Sequence, residues 1–203
     1  MLPSSLNHRC PTSRRVFPDS QKRFVSADID VNGTTVKVAN GYFPQGESRK
    51  HETKFPAKAK FYADLLAFLQ RECDPAQPTL ILGDMNVAPI DIDIGIGEAN
   101  MKRWLKDGKT SFLPEEREWL TQLIEWGLFD TYRHLEPERD DLFSWFDYRS
   151  RGFEREPKRG LRIDLILATE NLRRKTLSAG IDYEIRAMDK PSDHCPIFAE
   201  FDL

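Results

Sequence analysis

Thr79-Leu80-Ile81-Leu82-Gly83-Asp84-Met85-Asn86 is a short apolar run that ends in a glycine, a carboxylate, a spacer and a carboxamide. The apolar run reads as a buried strand. Side chains at i and i+2 of a strand share a face, so Asp84 and Asn86 are expected side by side at the strand's end. A carboxylate next to an amide is a useful pair for holding a hard cation and a phosphate oxygen together.

Upstream of this run, residues 24–29 alternate like a half-buried strand, Asn32-Gly33 supplies a hairpin turn, and 34–42 is the returning strand. Residues 57–72 carry Phe61, Leu65, Phe68 and Leu69 at helical spacing, with Leu66 widening the stripe. Downstream, 89–97 is a loop rich in Asp, Ile and Gly. Pro114 opens a helix with Glu115 and Glu116 at its positive end, Trp119, Leu120, Leu123 and Ile124 as its apolar stripe, and Gly127 as its stop. Later strands are expected at 142–148, 161–167, 183–187 and 197–201. Strands and helices interleave without internal repeat or interior linker, which predicts one layered α/β or α+β domain.

At 203 residues the chain can bury a substantial core, and 39% hydrophobic with 31% charged residues is a globular composition. No apolar run approaches a membrane span. The net charge of −3 excludes a bulk positive field, so a polyanionic substrate needs local basic groups or a metal. Cys10, Cys73 and Cys195 are far apart and odd in number, forming neither a disulfide framework nor a zinc site, which points to a reducing compartment. Met1 to Pro18 differs from the rest, with three prolines, three arginines and no acidic residue. Residues 1–20 are therefore expected to be an atypical, unstructured leader or a misplaced start, and 21–203 the domain.

Four clusters can carry chemistry: Asp84 with Asn86; residues 40–47, which include Tyr42; Arg162-Ile163-Asp164, entering an apolar run; and Ser192-Asp193-His194, before the last strand. Each is weak alone. Together they place carboxylates and a histidine at strand ends, where Asp164 can hydrogen-bond one nitrogen of His194 and leave the other for water or phosphate. Tyr42 can donate to a phosphate oxygen. No P-loop is present, which argues against nucleoside triphosphate chemistry. Cys195 reads as small core filling, because neighbours on an extended strand point oppositely.

In that order, Gly83-Asp84-Met85-Asn86, Arg162-Ile163-Asp164 and Ser192-Asp193-His194 resemble the endonuclease/exonuclease/phosphatase superfamily. Asn40-Gly41-Tyr42-Phe43-Pro44-Gln45-Gly46-Glu47-Ser48-Arg49, Asp93-Ile94-Gly95-Ile96-Gly97-Glu98, the stretch 111–119 and Phe143-Ser144-Trp145-Phe146-Asp147-Tyr148-Arg149 are similar to its exodeoxyribonuclease III branch. The resemblance implies an α+β fold, a four-layer α/β/β/α sandwich, and a magnesium- or manganese-dependent hydrolase of DNA phosphodiesters. Such enzymes shorten duplex DNA from 3′ ends and incise beside abasic sites, so double-stranded and abasic DNA are the implied partners. A cytoplasmic monomer is expected.

Carried over by matching position, the catalytic residues are Tyr42 on the scissile phosphate, Asp84 as acid or base toward the leaving oxygen, Asn86 against the five-coordinate phosphate, and Asp164 orienting His194. The implied metal set is Asp84, Asn86, Asp193 and His194. Implied DNA contacts are Tyr42, Trp145, Phe146, Arg149 and Arg162, with Trp145 and Phe146 near a sugar that lacks its base. The basic stretch Arg149, Arg151, Arg155, Lys158, Arg159 and Arg162 reads as a backbone contact or, diluted by Glu154 and Glu156, as a solvated face.

The family opens with a strand carrying an Asn and a second strand ending in a Glu that is its principal metal ligand, and neither block is found here. The resemblance therefore predicts a chain truncated at the front, lacking the N-terminal strands, with little nuclease activity by itself and exposed sheet edges that favour aggregation. Two alternatives stay open: a remnant that binds DNA or a partner without catalysis, and a superfamily phosphatase acting on a lipid or inositol phosphate, which the blocks around Tyr42 and Trp145 oppose.

Overall fold

β1 (Phe24–Val31) and β2 (Thr34–Tyr42) form an antiparallel hairpin whose turn residues, Asn32 and Gly33, take φ of 53° and 81°, as a two-residue loop of that hand requires. These elements belong to a computed structural model that describes residues 21–203; the leader expected over 1–20 lies outside the described residues. After β2 the chain crosses through α1 (Lys54–Glu72) and returns as β3 (Thr79–Asp84), parallel to β2. It continues through α2 (Glu98–Asp107), α3 (Pro114–Gly127), β4 (Leu128–Asp130) and the single turn α4 (Thr131–Leu135). β5 (Asp164–Thr169) then slots antiparallel beside β3, giving the five-stranded order β1-β2-β3-β5-β4. α5 (Glu170–Arg173) leads to β6 (Thr176–Ile181), and α6 (Tyr183–Arg186) separates it from β7 (Ile197–Phe201), its antiparallel partner in a second sheet.

Alternation along the strands sorts the core. Ala39, Ile81, Leu165 and Leu167 face Phe61, Leu65, Phe68 and Leu69 of α1 and Leu120 and Leu123 of α3. Val36, Leu80 and Ala168 on the opposite face meet Leu172, Phe201 and Leu203. Among the described residues the layers are thus helices, a five-stranded sheet and a two-stranded sheet, the α+β sandwich that the sequence implied.

Three local expectations are corrected. Residues 142–148 are not a strand: Trp145 makes only isolated bridges to Leu161 and His194. Residues 183–187 are not extended but contain α6, because the Asp182 side chain accepts from Ile185 N–H and caps a helical turn. β5 begins at Asp164, three residues later than the apolar pattern suggested.

Arg162 is the largest correction. It was expected on DNA, yet it is 1% exposed, with its guanidinium against Asp93 (Nε–Oδ1 2.6 Å) and Asp130 (Nη2–Oδ2 2.6 Å). Arg133 shares Asp93 at 2.5 Å. This group ties the loop before α2 to the end of β4 and cannot reach a ligand. Arg162→Ala is expected to cost about 2–3 kcal/mol, below the usual figure for a broken buried pair because Arg133 still covers Asp93. The salt dependence of DNA binding should be unchanged, and urea titration with binding isotherms at several salt concentrations checks both.

Candidate active site

Three strands place the chemistry. Tyr42 of β2 lies opposite Asp84 of β3, which lies opposite Asp164 of β5, so one row across the sheet ends in a phenol and two carboxylates on the same face. One row further in, Gly41 pairs with Gly83, whose φ is +132° and where a Cβ would sit 2.0 Å from the Gly41 carbonyl oxygen. No other residue fits, and this close approach brings the strand ends together.

Asp84 and Asn86 do meet, by a route different from strand alternation. β3 ends at Asp84, and Asn86 turns back with φ of 54°, a left-handed conformation that Asn tolerates. Asn86 N–H donates to Asp84 Oδ1 (2.9 Å), and its side-chain amide donates to Asp84 Oδ2 (2.8 Å) and to the Phe43 carbonyl (3.0 Å). Both amide N–H groups are thereby engaged, so in this arrangement Asn86 positions Asp84.

His194 approaches from the segment before β7. Its Nδ1 lies 2.9 Å from Asp164 Oδ2 and 3.2 Å from Oδ1. The acceptor is a carboxylate, so Nδ1 carries the proton and Nε2 is left to the site. Burial disfavours the imidazolium, but the Asp164 hydrogen bond and the charges of Asp164, Asp84 and Asp193 outweigh it and hold the His194 pKa above the usual value. Burial, with neighbouring Asp164, pushes the Asp84 carboxyl up to about 7 against the opposing effects of His194, Asn86 N–H and Lys58.

Ligand atoms of Asp84, Asp164 and His194 lie within 4.8 Å of one another. Two half-buried carboxylates whose repulsion raises a pKa are a donor set that a divalent cation fits. Asp164 thus joins the expected ligands. Asp193, also expected there, has Oδ2 3.0 Å from Trp145 Nε1 and lies outside this group. Phe146, expected near the sugar, is fully buried against Phe153 and Tyr183 and cannot touch a ligand, whereas Trp145 remains half-buried. Tyr42 is 57% exposed at the rim with Arg23 over its ring, and Arg149 is exposed. Cys195 is buried, its thiol pushed up to about 12 by that burial, as suits core filling.

Sequence reasoning missed Ser144 and Lys58. Ser144 Oγ accepts from Ile163 N–H (3.0 Å) and Asp164 N–H (2.9 Å), and its carbonyl accepts from Cys195 N–H. It locks the strand that carries Asp164 to the segment that carries His194. Lys58 is fully buried and donates to the Asn86 carbonyl at 2.8 Å. Ser144 sits inside the block quoted around Trp145, which could have flagged it; Lys58 leaves only a lysine on the apolar side of a helix.

Phosphate-ester hydrolysis can use an oriented imidazole and a pair of carboxylates that holds a cation, and this row with His194 presents both. Residues 5–194 match the endonuclease/exonuclease/phosphatase family. The chain is 57% identical over 192 residues to exodeoxyribonuclease III of Haemophilus influenzae, covering 93% of this chain and 71% of that protein. Among solved structures, an AP endonuclease from Archaeoglobus fulgidus superposes with a TM-score of 0.81 at 31% identity, over 94% of this chain and 70% of that one. A 3′ phosphatase from Neisseria bound to a product DNA hairpin gives 0.78 at 34% identity, over 92% and 67%. The chain belongs to the endonuclease/exonuclease/phosphatase family.

Proposed function

We propose that this protein is a DNA repair nuclease that hydrolyses phosphodiesters by in-line attack of water, removing nucleotides from 3′ ends and incising at abasic sites. The row Tyr42–Asp84–Asp164 closed by His194 is the observation that carries this reading, and the high identity to an exodeoxyribonuclease III directs it to DNA.

Asp84 and Asp164 are the carboxylates that would hold magnesium or manganese, with His194 beside them, and the cation neutralises phosphate charge when bound. Asp84, held at the end of β3 by both Asn86 donors, is placed to exchange a proton with the leaving oxygen. Asp164 fixes the His194 ring so that Nε2 faces the reacting phosphate and its water. Tyr42, at the solvent rim, offers its hydroxyl to a phosphate oxygen, and Trp145 and Arg149 border the path of the strand. The protein acts as a cytoplasmic monomer in this reading.

An abasic-site duplex, incubated with magnesium or manganese and with chelator, tests it. Cleavage should require the cation, and Asp164→Asn, which removes a proposed ligand together with the partner of His194, should lower the rate by more than the roughly 10–100-fold usual for losing an orienting partner alone. Equal rates for variant and wild type, or hydrolysis of a phosphoinositide with DNA left intact, would reject the assignment.

A further inference from the structure

The segment that carries His194 is a loop built around one charge. Asp182 N–H donates to the Pro196 carbonyl at 2.8 Å and closes the loop at its base. Between those two residues only α6 has regular structure. Every residue of 184–190 is exposed except Arg186, which is 3% exposed. Lys190 takes φ of 52°, a left-handed conformation that is unfavourable for lysine, so local preference alone does not hold the loop in shape.

The Arg186 guanidinium lies against three rings of the segment that faces the loop. Its Cζ is 4.6 Å from the ring centroid of Phe153, 5.6 Å from that of Tyr148 and 5.9 Å from that of Phe146. Among the described residues its side chain makes no ion pair and no hydrogen bond, and its Nε is enclosed without a partner. The other buried cations differ: Arg162 lies between Asp93 and Asp130, and Lys58 rests on Glu116. Lys158 shares the Phe153 ring at 4.5 Å but has Glu156 as its partner at 3.1 Å. A buried charge without a carboxylate is unfavourable, and an apolar chain of the same length would avoid the cost. The electron-rich ring faces are what hold this one. Two of the same residues hold the far end of the loop. Tyr148 Oη donates to the Pro191 carbonyl at 2.5 Å, and Phe146 N–H donates to the Asp193 carbonyl at 2.9 Å.

We infer that Arg186 is a positioning residue for His194: its cation, gripped by Phe146, Tyr148 and Phe153, holds the exposed run 187–193 in the shape that delivers His194 to Asp164. It acts through others. Tyr148 passes the constraint to Pro191, and Phe146 passes it to Asp193, the residue before His194. A charge serves here better than an apolar chain because its attraction to the rings fixes where they stand, whereas apolar packing only fills the space. The effect on rate rests on the reading of the protein as a DNA hydrolase; the effect on the loop does not.

Arg186→Met keeps the length of the chain and removes the charge. Amide hydrogen exchange in chelator should quicken about 10-fold at Phe146 and Cys195, whose N–H groups tie the two segments together, while β3 amides and the urea midpoint stay at wild-type values. Single-turnover cleavage of the abasic-site duplex with magnesium should slow about 10-fold, the low end for losing an orienting partner, at an unchanged dissociation constant for the duplex. Arg186→Lys leaves a cation for the rings and should bring exchange and rate back to within about 3-fold of wild type. Tyr148→Phe, at an exposed position, removes only the bond to Pro191; it should loosen the same amides and add little to Arg186→Met in the double variant. Wild-type exchange at Phe146 and Cys195 in Arg186→Met, a lysine variant as loose as the methionine one, or full additivity with Tyr148→Phe would overturn the inference. So would a lowered urea midpoint with β3 amides quickening in step, which confines Arg186 to holding the fold. If the amides respond as expected and wild type cleaves no DNA, the hydrolase reading fails while the hold of Arg186 on the loop stands.

Discussion

Asp84→Asn is expected to make the metal-free protein more stable at pH 8 while reducing hydrolysis at least about 1000-fold, within the range associated with a lost acid–base group. The two effects have one origin. Burial and the neighbouring Asp164 push the Asp84 carboxyl from 3.8 up to about 7, so the folded site disfavours its charge. Between those values the folded state keeps a proton that the unfolded chain has released. The contribution of Asp84 to stability is therefore complete below its unfolded pKa and is lost as pH rises through about 7. The full span corresponds to roughly 4 kcal/mol, and a half-buried site open to water retains about 2 kcal/mol of it.

Asparagine carries no charge, and its oxygen can still accept from Asn86 N–H. Its amide meets the Asn86 amide donor to donor, which returns part of the gain. Urea unfolding in chelator should place Asp84→Asn about 1–2 kcal/mol above wild type at pH 8, with the gap closing by pH 5. Added magnesium or manganese should raise the wild-type unfolding free energy by about 2.7 kcal/mol at a hundredfold excess over the dissociation constant, and leave the variant unmoved. A variant less stable than wild type at pH 8, or stabilised equally by the cation, contradicts this account. The same prediction explains why so unfavourable a carboxylate stands at the end of a buried strand: its strain is relieved by a ligand.

What the sequence made legible follows a physical line. β2 and β7 are read to the residue because their alternation is enforced by one buried face and reinforced by clear turns at their ends. The stretch 142–148 alternates too, but for another reason. Phe143 and Phe146 fill one cluster while Trp145 serves a different one, and Trp145 exchanges backbone hydrogen bonds with Leu161 only, too short a ladder for a strand. Residues 183–187 satisfy a period of two by accident, and the capping carboxylate of Asp182 decides the matter locally. α2 carries little apolar signal between Gly97 and Gly108, because Met101 and Trp104 alone pack inward.

Within the candidate site, the meeting of Asp84, Asp164 and His194 was legible because their residue types are distinctive and the pairing of Asp84 with Asp164 follows from the strands. Arg162 was misread because its partners, Asp93 in the loop before α2 and Asp130 at the end of β4, are distant in sequence, and nothing in a local pattern distinguishes a cation that will be buried between two acids from one that will face solvent. Lys58 escaped for the same reason, and its consequences are the larger.

Lys58→Met is expected to destabilise the protein by about 3–5 kcal/mol and to depress catalysis by a separate cause. Lys58 Nζ lies 2.5 Å from Glu116 Oε1, with neither side chain exposed. Burial works against both charges, pushing Lys58 down and Glu116 up, so the pair holds only while both members are present. Its remaining atoms grip backbone. Glu116 Oε2 accepts from Ser111 N–H and Leu113 N–H, each at 2.8 Å, and Lys58 donates to the Asn86 carbonyl. Ser111 (φ 99°) and Asn86 (φ 54°) are both left-handed, and Ala88 N–H donates to the Ser111 carbonyl between them. The pair thus anchors two unfavourable turns to α1 and α3 directly beneath Asp84. Lys58→Met strands a carboxylate in the interior and frees the Asn86 carbonyl. Adding Glu116→Gln removes the stranded charge while keeping an acceptor for Ser111 and Leu113, so the double variant should recover more than half of the lost stability. It should not recover the rate, because Asn86 still lacks the donor that fixes its turn. Urea midpoints and single-turnover cleavage of the abasic duplex, measured on wild type, both single variants and the double variant, complete the cycle. Recovery of rate in step with stability would confine Lys58 to holding the fold; recovery of stability alone places it in the positioning of Asp84 through Asn86.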